Sequence, residues 1–286
     1  MRKLLISSVG LLATLTLVGP AIAADLKAEP RRERATQSQQ TQQSSNWNGG
    51  QVGGSNGASS VNNNFVEPGA HNYFNCLTNC IETPFSFSGH QTSYIVGGFA
   101  GYRWQMGVIV VGVEGDVNWQ RGETSKVQST PRSAPLFLDV EQFTGSQKQG
   151  ADGSFRGRVG FLVTPWTLIY ATGGLAVGRV SGSFSYLACT ITGCGITSAN
   201  VYGTASWSDT RVGGTVGAGV ETVVAGGVKA RAEYRYTDYG SISKDVPLVN
   251  NFGCTNPAIC GTNAHIDLRA NNHRFMVGLG FDLSGL

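Results

Sequence analysis

Hydrophobic and polar positions alternate along much of this chain, most regularly from Val228 to Tyr239, V-K-A-R-A-E-Y-R-Y-T-D-Y. Val228, Ala230, Ala232, Tyr234 and Tyr236 fall on one parity; Lys229, Arg231, Glu233, Arg235 and Thr237 fall on the other. Successive side chains of a strand point to opposite faces, so one face is apolar and tyrosine-ended while the other is a row of charges. A soluble barrel hides its apolar face. Here the charged face is better placed inside a barrel and the apolar face outside, against lipid.

Eight such segments follow one another, near 47–60, 92–105, 107–121, 152–164, 167–185, 206–225, 227–241 and 266–283. Each is long enough to cross a bilayer when tilted, which takes about 9–11 residues. In the third, Ile109, Val111, Val113, Val117 and Trp119 oppose Glu114, Asp116 and Asn118. In the fourth, Phe155, Val159, Phe161 and Val163 oppose Arg156 and Arg158. The sixth sets Val212, Val216, Ala218, Val220 and Val224 against Arg211, Thr215 and Glu221. The eighth sets Phe275, Val277, Leu279 and Phe281 against Arg274 and Asp282. The first segment is weak, and the second and fifth are ambiguous in phase.

Connections alternate between short turns (Gln105-Met106-Gly107, Thr164-Pro165-Trp166, Ala225-Gly226) and long stretches over 61–91, 122–151, 186–205 and 242–265. The pattern predicts an all-β, eight-stranded antiparallel up-and-down transmembrane β-barrel with four long external loops. Trp166 fits an inner aromatic girdle; Trp119, Tyr186, Trp207, Tyr236 and Tyr239 lie at the height of an outer one. The competing architecture is a soluble β-sandwich, which would bury the charged faces no better.

The start of the chain changes the compartment. Arg2 and Lys3, an apolar stretch over 4–18 and Ala21-Ile22-Ala23 form a secretory signal, with cleavage expected after residue 23. Loss of Arg2 and Lys3 takes the net charge from +3 to +1, which argues against nucleic acid as a partner. Residues 24–45, with Arg31-Arg32-Glu33-Arg34 and a Gln/Ser/Thr run, read as a disordered periplasmic leader before a barrel over 46–286.

The parity assigns to the lumen Arg103, Arg156, Arg158, Arg211, Lys229, Arg231, Arg235 and Arg274, facing Glu114, Asp116, Glu221, Glu233 and Asp282. Eight strands enclose only enough room for side chains to fill. Opposite charges there should pair into a plug; the other reading is a narrow pore, which the basic excess would bias toward anions. Six cysteines fall as three close pairs, Cys76 with Cys80, Cys189 with Cys194, and Cys254 with Cys260, each in a different long stretch. A local disulfide in each is the first reading outside the cytoplasm, with zinc as the rival. His273, with Ser206 or Ser208 at similar height, makes a lipid-modifying site conceivable, but no nucleophile elbow or phosphate loop accompanies it. No metal or cofactor is called for.

The segments F-R-G-R-V-G-F (155–161), I-Y-A-T-G-G-L-A-V-G (169–178), G-A-G-V-E (217–221) and K-A-R-A-E-Y-R-Y-T-D-Y-G (229–240) resemble the alphaproteobacterial small outer-membrane β-barrel proteins, the porin-like surface antigens. The resemblance implies a place in the outer membrane and a structural surface role, with adhesion or partner recognition through the loops; alternatives are a small diffusion channel and a lipid-modifying enzyme. It implies outer-membrane lipids and lipopolysaccharide, the barrel-assembly machinery and an extracellular or host surface ligand as partners. Gly278, Phe281 and Leu283 of the last strand look like the assembly signal.

Overall fold

The structure, a computed structural model, describes residues 46–67, 85–134, 137–190, 201–250 and 263–283. The predicted signal and leader lie outside these residues. So do five of the cysteines for which disulfides are expected, Cys76, Cys80, Cys194, Cys254 and Cys260, together with the side chain of the sixth, Cys189. The backbone of Cys189 is described: it sits in a strand opposite Val140, where the sequence places a loop.

Among the described residues, nine strand segments run β1 (Gly49–Glu67), β2 (Phe85–Met106), β3 (Ile109–Arg121), β4 (Glu123–Ala134), β5 (Phe137–Thr164), β6 (Thr167–Thr190), β7 (Val201–Ala225), β8 (Val228–Asn250) and β9 (Asn263–Asp282). Every neighbouring pair is antiparallel. β1 closes the ring by pairing both β2 and β9. β3 pairs the second half of β5 and β4 the first half, so these two segments share one position in an eight-position wall, interrupted at Gly122.

Three turns of two residues, Gly107-Val108, Pro165-Trp166 and Gly226-Gly227, mark one end of the barrel. They are tied to the neighbouring strand by Leu162 N–H to Val108 O (2.8 Å), Val223 N–H to Trp166 O (2.9 Å) and Asp282 N–H to Gly227 O (3.0 Å). At the other end the strands outrun the sequence-based expectation. β5 has 28 residues and β7 has 25, against the roughly 9–11 a tilted strand needs to cross a bilayer. Within the stretch 122–151, read from sequence as a loop, residues 123–134 form β4, paired antiparallel with residues 137–148 of β5. Residues at both ends of the other three long stretches likewise continue strands.

The extension has a physical cause. In the half near the short turns, exposed side chains are apolar: Phe155, Val159 and Phe161 on β5, Ile169, Leu175 and Val177 on β6, Phe275 to Phe281 on alternate positions of β9. Beyond that band the barrel turns inside out. Phe65, Phe143, Val180, Phe184, Tyr186, Ile242, Val246, Ile266 and Leu268 form a core within the ring, while Arg179, Ser183, Ser206, Ser241 and Arg269 look outward. The distal half is thus a water-facing barrel with its own core, and that burial keeps the ladders going.

This arrangement overturns part of the predicted outer girdle. Trp119 and Tyr236 face outward, but Tyr186 and Tyr239 are buried inside and Trp207 packs against the inner core. β8 changes phase to reach that core. Its pairing with β9 slips between Asp238 and Ser241, where Gly240 has φ of 77°, a conformation an L side chain rarely adopts. Odd positions point inward before this bulge and even ones (Ile242, Val246) after it.

Candidate functional site

The membrane-level lumen is filled from below upward by three kinds of chemistry. Lowest is an apolar cluster of Trp47, Val110, Leu168 and Tyr170, backed by Leu162 and Val223. Trp47 precedes β1 and folds across the end of the barrel. Its Nε1 donates to the Pro165 carbonyl at 3.3 Å, and the cations of Lys229 and Arg103 stand 4.4 and 5.2 Å from its ring centre.

Above it lies one connected set of ion pairs. Lys229 meets Asp282, which also takes Arg103 at 2.5 Å; Arg103 bonds Glu221 at 2.5 Å. Glu221 holds Arg158 at 2.9 Å. Glu114 then receives Arg158 (3.3 Å), Arg156 (2.6 Å) and Arg231 (2.9 Å). Glu233 receives Arg156 (2.7 Å), Arg231 (2.9 Å) and Arg235 (2.8 Å). Asp116 closes the set with Arg156 at 3.0 Å and Arg235 at 2.9 Å. Each carboxylate sits among two or three guanidinium or ammonium groups, the condition under which buried charge is tolerated.

Aromatic rings carry the same cations. Arg158 lies 3.9 Å over Tyr170, whose hydroxyl donates to Glu233 at 2.9 Å. Arg231 lies 3.9 Å over Phe99. Room for the Phe99 ring comes from β1: a Cβ at Gly53 would stand 2.3 Å from its Cζ. The glycine-rich first strand, weak as a sequence signal, is the wall against which the lumen packs.

A third layer, of amides, separates charge from the distal apolar core. Gln120 and Asn272 both donate to the Gln149 side-chain oxygen at 2.8 Å, and Ser59 donates to Asn272 at 2.7 Å. The void beside Gln120, Gln149, Asp152 and Tyr239 is too tight to seat a water molecule.

Twelve of the thirteen sequence-assigned lumen residues take places inside the barrel; Arg211 does not join the network. β7 and β8 part between Gly203↔Leu248 and Gly214↔Asp238. Arg211 sits in that gap, about one-third exposed and 3.6 Å from Asp209. Sequence reasoning missed Asp152, which pairs with Arg274 and shares the parity of Arg156 and Arg158. Asn118 joins this pair to the rest by donating to both Asp116 and Asp152. With it the network holds seven basic groups (Arg103, Arg156, Arg158, Lys229, Arg231, Arg235, Arg274) and six acidic ones (Glu114, Asp116, Asp152, Glu221, Glu233, Asp282). The basic excess expected from sequence falls to one charge.

The conceivable histidine–serine site is not assembled. His273 faces outward between Tyr236 and Ser60, with its Nδ1 2.7 Å from the Tyr234 hydroxyl. Ser206 and Ser208 lie on β7 opposite Ser183 and Ser181 of β6, and Ser208 accepts from Arg179 Nε at 2.8 Å. Phe281 of β9 and Leu283, which directly follows the strand, are exposed. Gly278 lies in the wall, where a Cβ would stand 2.5 Å from the Gly54 carbonyl.

Apolar outside, charged inside and closed by antiparallel strands, the architecture is that of a membrane barrel. The family described as "Outer membrane protein beta-barrel domain" matches residues 35–281. The chain belongs to that family. The 22 kDa outer membrane protein of Rhizobium leguminosarum is 37% identical over 162 residues, 56% of this chain and 60% of that one. The 25 kDa outer-membrane immunogenic protein of Brucella abortus is 35% identical over 52% of this chain and 54% of its own length. The 31 kDa immunogenic protein of Brucella melitensis is 30% identical over 65% of each. The chain thus spans about half to two-thirds of these curated relatives. Among solved structures, Ail, the attachment invasion locus protein of Yersinia pestis, covers 82% of this chain and 99% of its own at 11% identity and a TM-score of 0.28. Neisserial surface protein A covers 80% and 97% at 12% identity and a TM-score of 0.32. As a member of the family this barrel resides in the cell outer membrane. The two Brucella relatives carry names that describe immunogenic proteins of the outer membrane.

Proposed function

We propose that the protein is a non-conducting outer-membrane scaffold that carries a stiff distal barrel beyond the membrane to hold extracellular loops for adhesion or partner recognition. The observation that carries this reading is the filling of the axis: an apolar floor, a thirteen-member ion network, an amide layer and a nine-residue apolar core succeed one another. A diffusion channel would need a continuous wet path through all four layers. Rigid scaffolds with variable connections are where recognition usually resides, and the strands here bring the loop bases well clear of the bilayer. The names of the relatives fit an exposed antigen. Three local disulfides belong to the proposal, Cys76 with Cys80, Cys189 with Cys194, and Cys254 with Cys260, supported by their close spacing and by a compartment that permits oxidation. Six free thiols in protein purified without reductant would remove them.

Lipopolysaccharide is the proposed lipid neighbour. Arg121 and Arg179 lie two residues beyond the lipid-facing Trp119 and Val177, with Lys148 on the strand between, all outward and exposed. Among the described residues none of the three has an ion-pair partner, and anionic headgroup phosphates would supply one. The end of the final strand is the proposed contact for the assembly machinery, through Phe281 and the Leu283 that follows it.

Single-channel recording with the full chain in planar bilayers tests the scaffold reading. Quiet membranes with at most brief, small events agree with it; long-lived, large conductance steps would establish the diffusion channel. Binding of intact cells to extracellular matrix or host-cell surfaces, compared with and without the protein, tests recognition. Equal binding by both would remove adhesion from the account.

A further inference from the structure

β1 has the least apolar lipid-facing row of the barrel. Val52, Gly54, Asn56 and Ala58 point outward on it, where the bands of the other strands carry mostly Val, Ile, Leu, Phe, Ala and Gly; Thr222 of β7, at the short-turn end, is bonded to Thr167 and to the Trp166 carbonyl. Asn56 pairs in register with Val96 of β2 and Val277 of β9. Both valines are nearly half exposed on the lipid face, so the amide lies within the outer half of the apolar band. It has no side-chain hydrogen-bond partner among the described residues.

Hydrocarbon can neither donate to nor accept from that amide, and an unmet polar group in a bilayer is costly. Acyl chains could cover the surface but would leave the cost in place. Next to Asn56 the wall is hollow. A groove of about 700 Å³ runs over Gly54, Ala230, Ala232 and Gly278 and is walled by Leu279 and Phe281. Small residues let two membrane surfaces approach closely enough for polar side chains to bond across them. A primary amide carries both donors and an acceptor. It is therefore its own complement across a two-fold axis, where one patch faces its copy.

We infer that the β9–β1 face is a dimer interface within the membrane, with Asn56 of one protomer bonded to Asn56 of a second copy and the bulky walls of each groove seated against the other's small residues. The interface lies away from the lumen and holds whether or not the loops bind a partner.

The test uses the full chain in the outer membrane, with a photo-activated benzophenone amino acid at Ala58 and, as a control, at Val212 on β7. Irradiation should yield a band at twice the monomer mass from Ala58 and none from Val212. In phospholipid vesicles, energy transfer between donor- and acceptor-labelled copies should require at least tenfold higher protein density for Asn56→Leu than for the natural chain, with Asn56→Gln in between. Heat-modifiable gel migration checks that each variant is folded, and the Ala58 probe keeps Asn56 itself intact. Ala58 adducts to lipopolysaccharide or to another protein alone, or equal transfer by the Asn56→Leu and natural chains, would overturn the inference.

Discussion

On β9 the even positions from Ile266 to Asp282 point inward, yet the two halves of that strand use the same parity for opposite purposes. Ile266, Leu268 and Ala270 bury apolar surface in the distal ring; Asn272, Arg274 and Asp282 meet polar partners at membrane level. Outward, Asp267 and Arg269 give way to Phe275, Val277, Leu279 and Phe281. The difference comes from the solvent outside. Where the surroundings are hydrocarbon, the interior is the place left for charge and must satisfy it internally. Where the surroundings are water, ordinary burial of apolar groups returns. One ladder of backbone bonds serves both, with the amide layer as the seam between them.

That contrast can be broken first at the ion network. Glu233 holds three arginines, so Glu233→Ala leaves several buried cations short of a partner and should cost about 3–5 kcal/mol. The urea midpoint of the heat-modifiable form in detergent reads this; an unchanged midpoint would mean that water already screens the lumen. In the distal half, Phe184→Ala removes a core ring and should cost about 3 kcal/mol locally. Amide exchange should accelerate in the distal parts of β5 and β6, while the membrane half keeps its protection. On β7, Val216→Arg places a charge in the apolar band and should cost roughly 2–4 kcal/mol. Ser206→Arg, on the same face ten residues earlier in the water-facing half, should change stability by less than about 0.5 kcal/mol. Equal effects on folding yield into vesicles would erase the boundary.

The smallest effect is electrostatic. The hydrogen bond from Lys244, 3.0 Å away, together with nearby Arg211, holds the Asp209 carboxyl below its usual range. A carboxyl lowered in the folded state contributes stability above its unfolded pKa and loses it as pH falls through the folded one. Exchange of β7 amides 204–213 should therefore rise only below about pH 4, and Lys244→Met should remove that step.

The membrane half was largely legible in the sequence, because lipid outside and charge inside write a strong period-two pattern into β3, β5, β7, β8 and β9. Asp152 was readable from the parity of Arg156 and Arg158. The distal half was not, because its pattern reads as polar loop: Ser, Thr and Gly outward, with apolar residues spaced among them. Position along the strand puts Tyr186, Trp207 and Tyr239 at girdle height, but it cannot tell that they face inward into or beside the distal core. Arg211 has lumen parity, but the parting of β7 from β8 is set by pairing partners that no single strand reveals. Trp47 opens the first segment as read from sequence, but the structure places it before β1, and the weak period there does not reveal a side chain that folds back to close the barrel.

Site-directed spin labels on β9, in the folded protein in lipid vesicles, test the exchange of faces most directly. Labels at Val277 and Leu279 should collide with oxygen in the bilayer, labels at Asp267 and Arg269 with a water-soluble nickel chelate, and a label at Leu268 with neither. A label at Leu268 open to the chelate, or one at Asp267 reporting hydrocarbon, would contradict the two-solvent barrel.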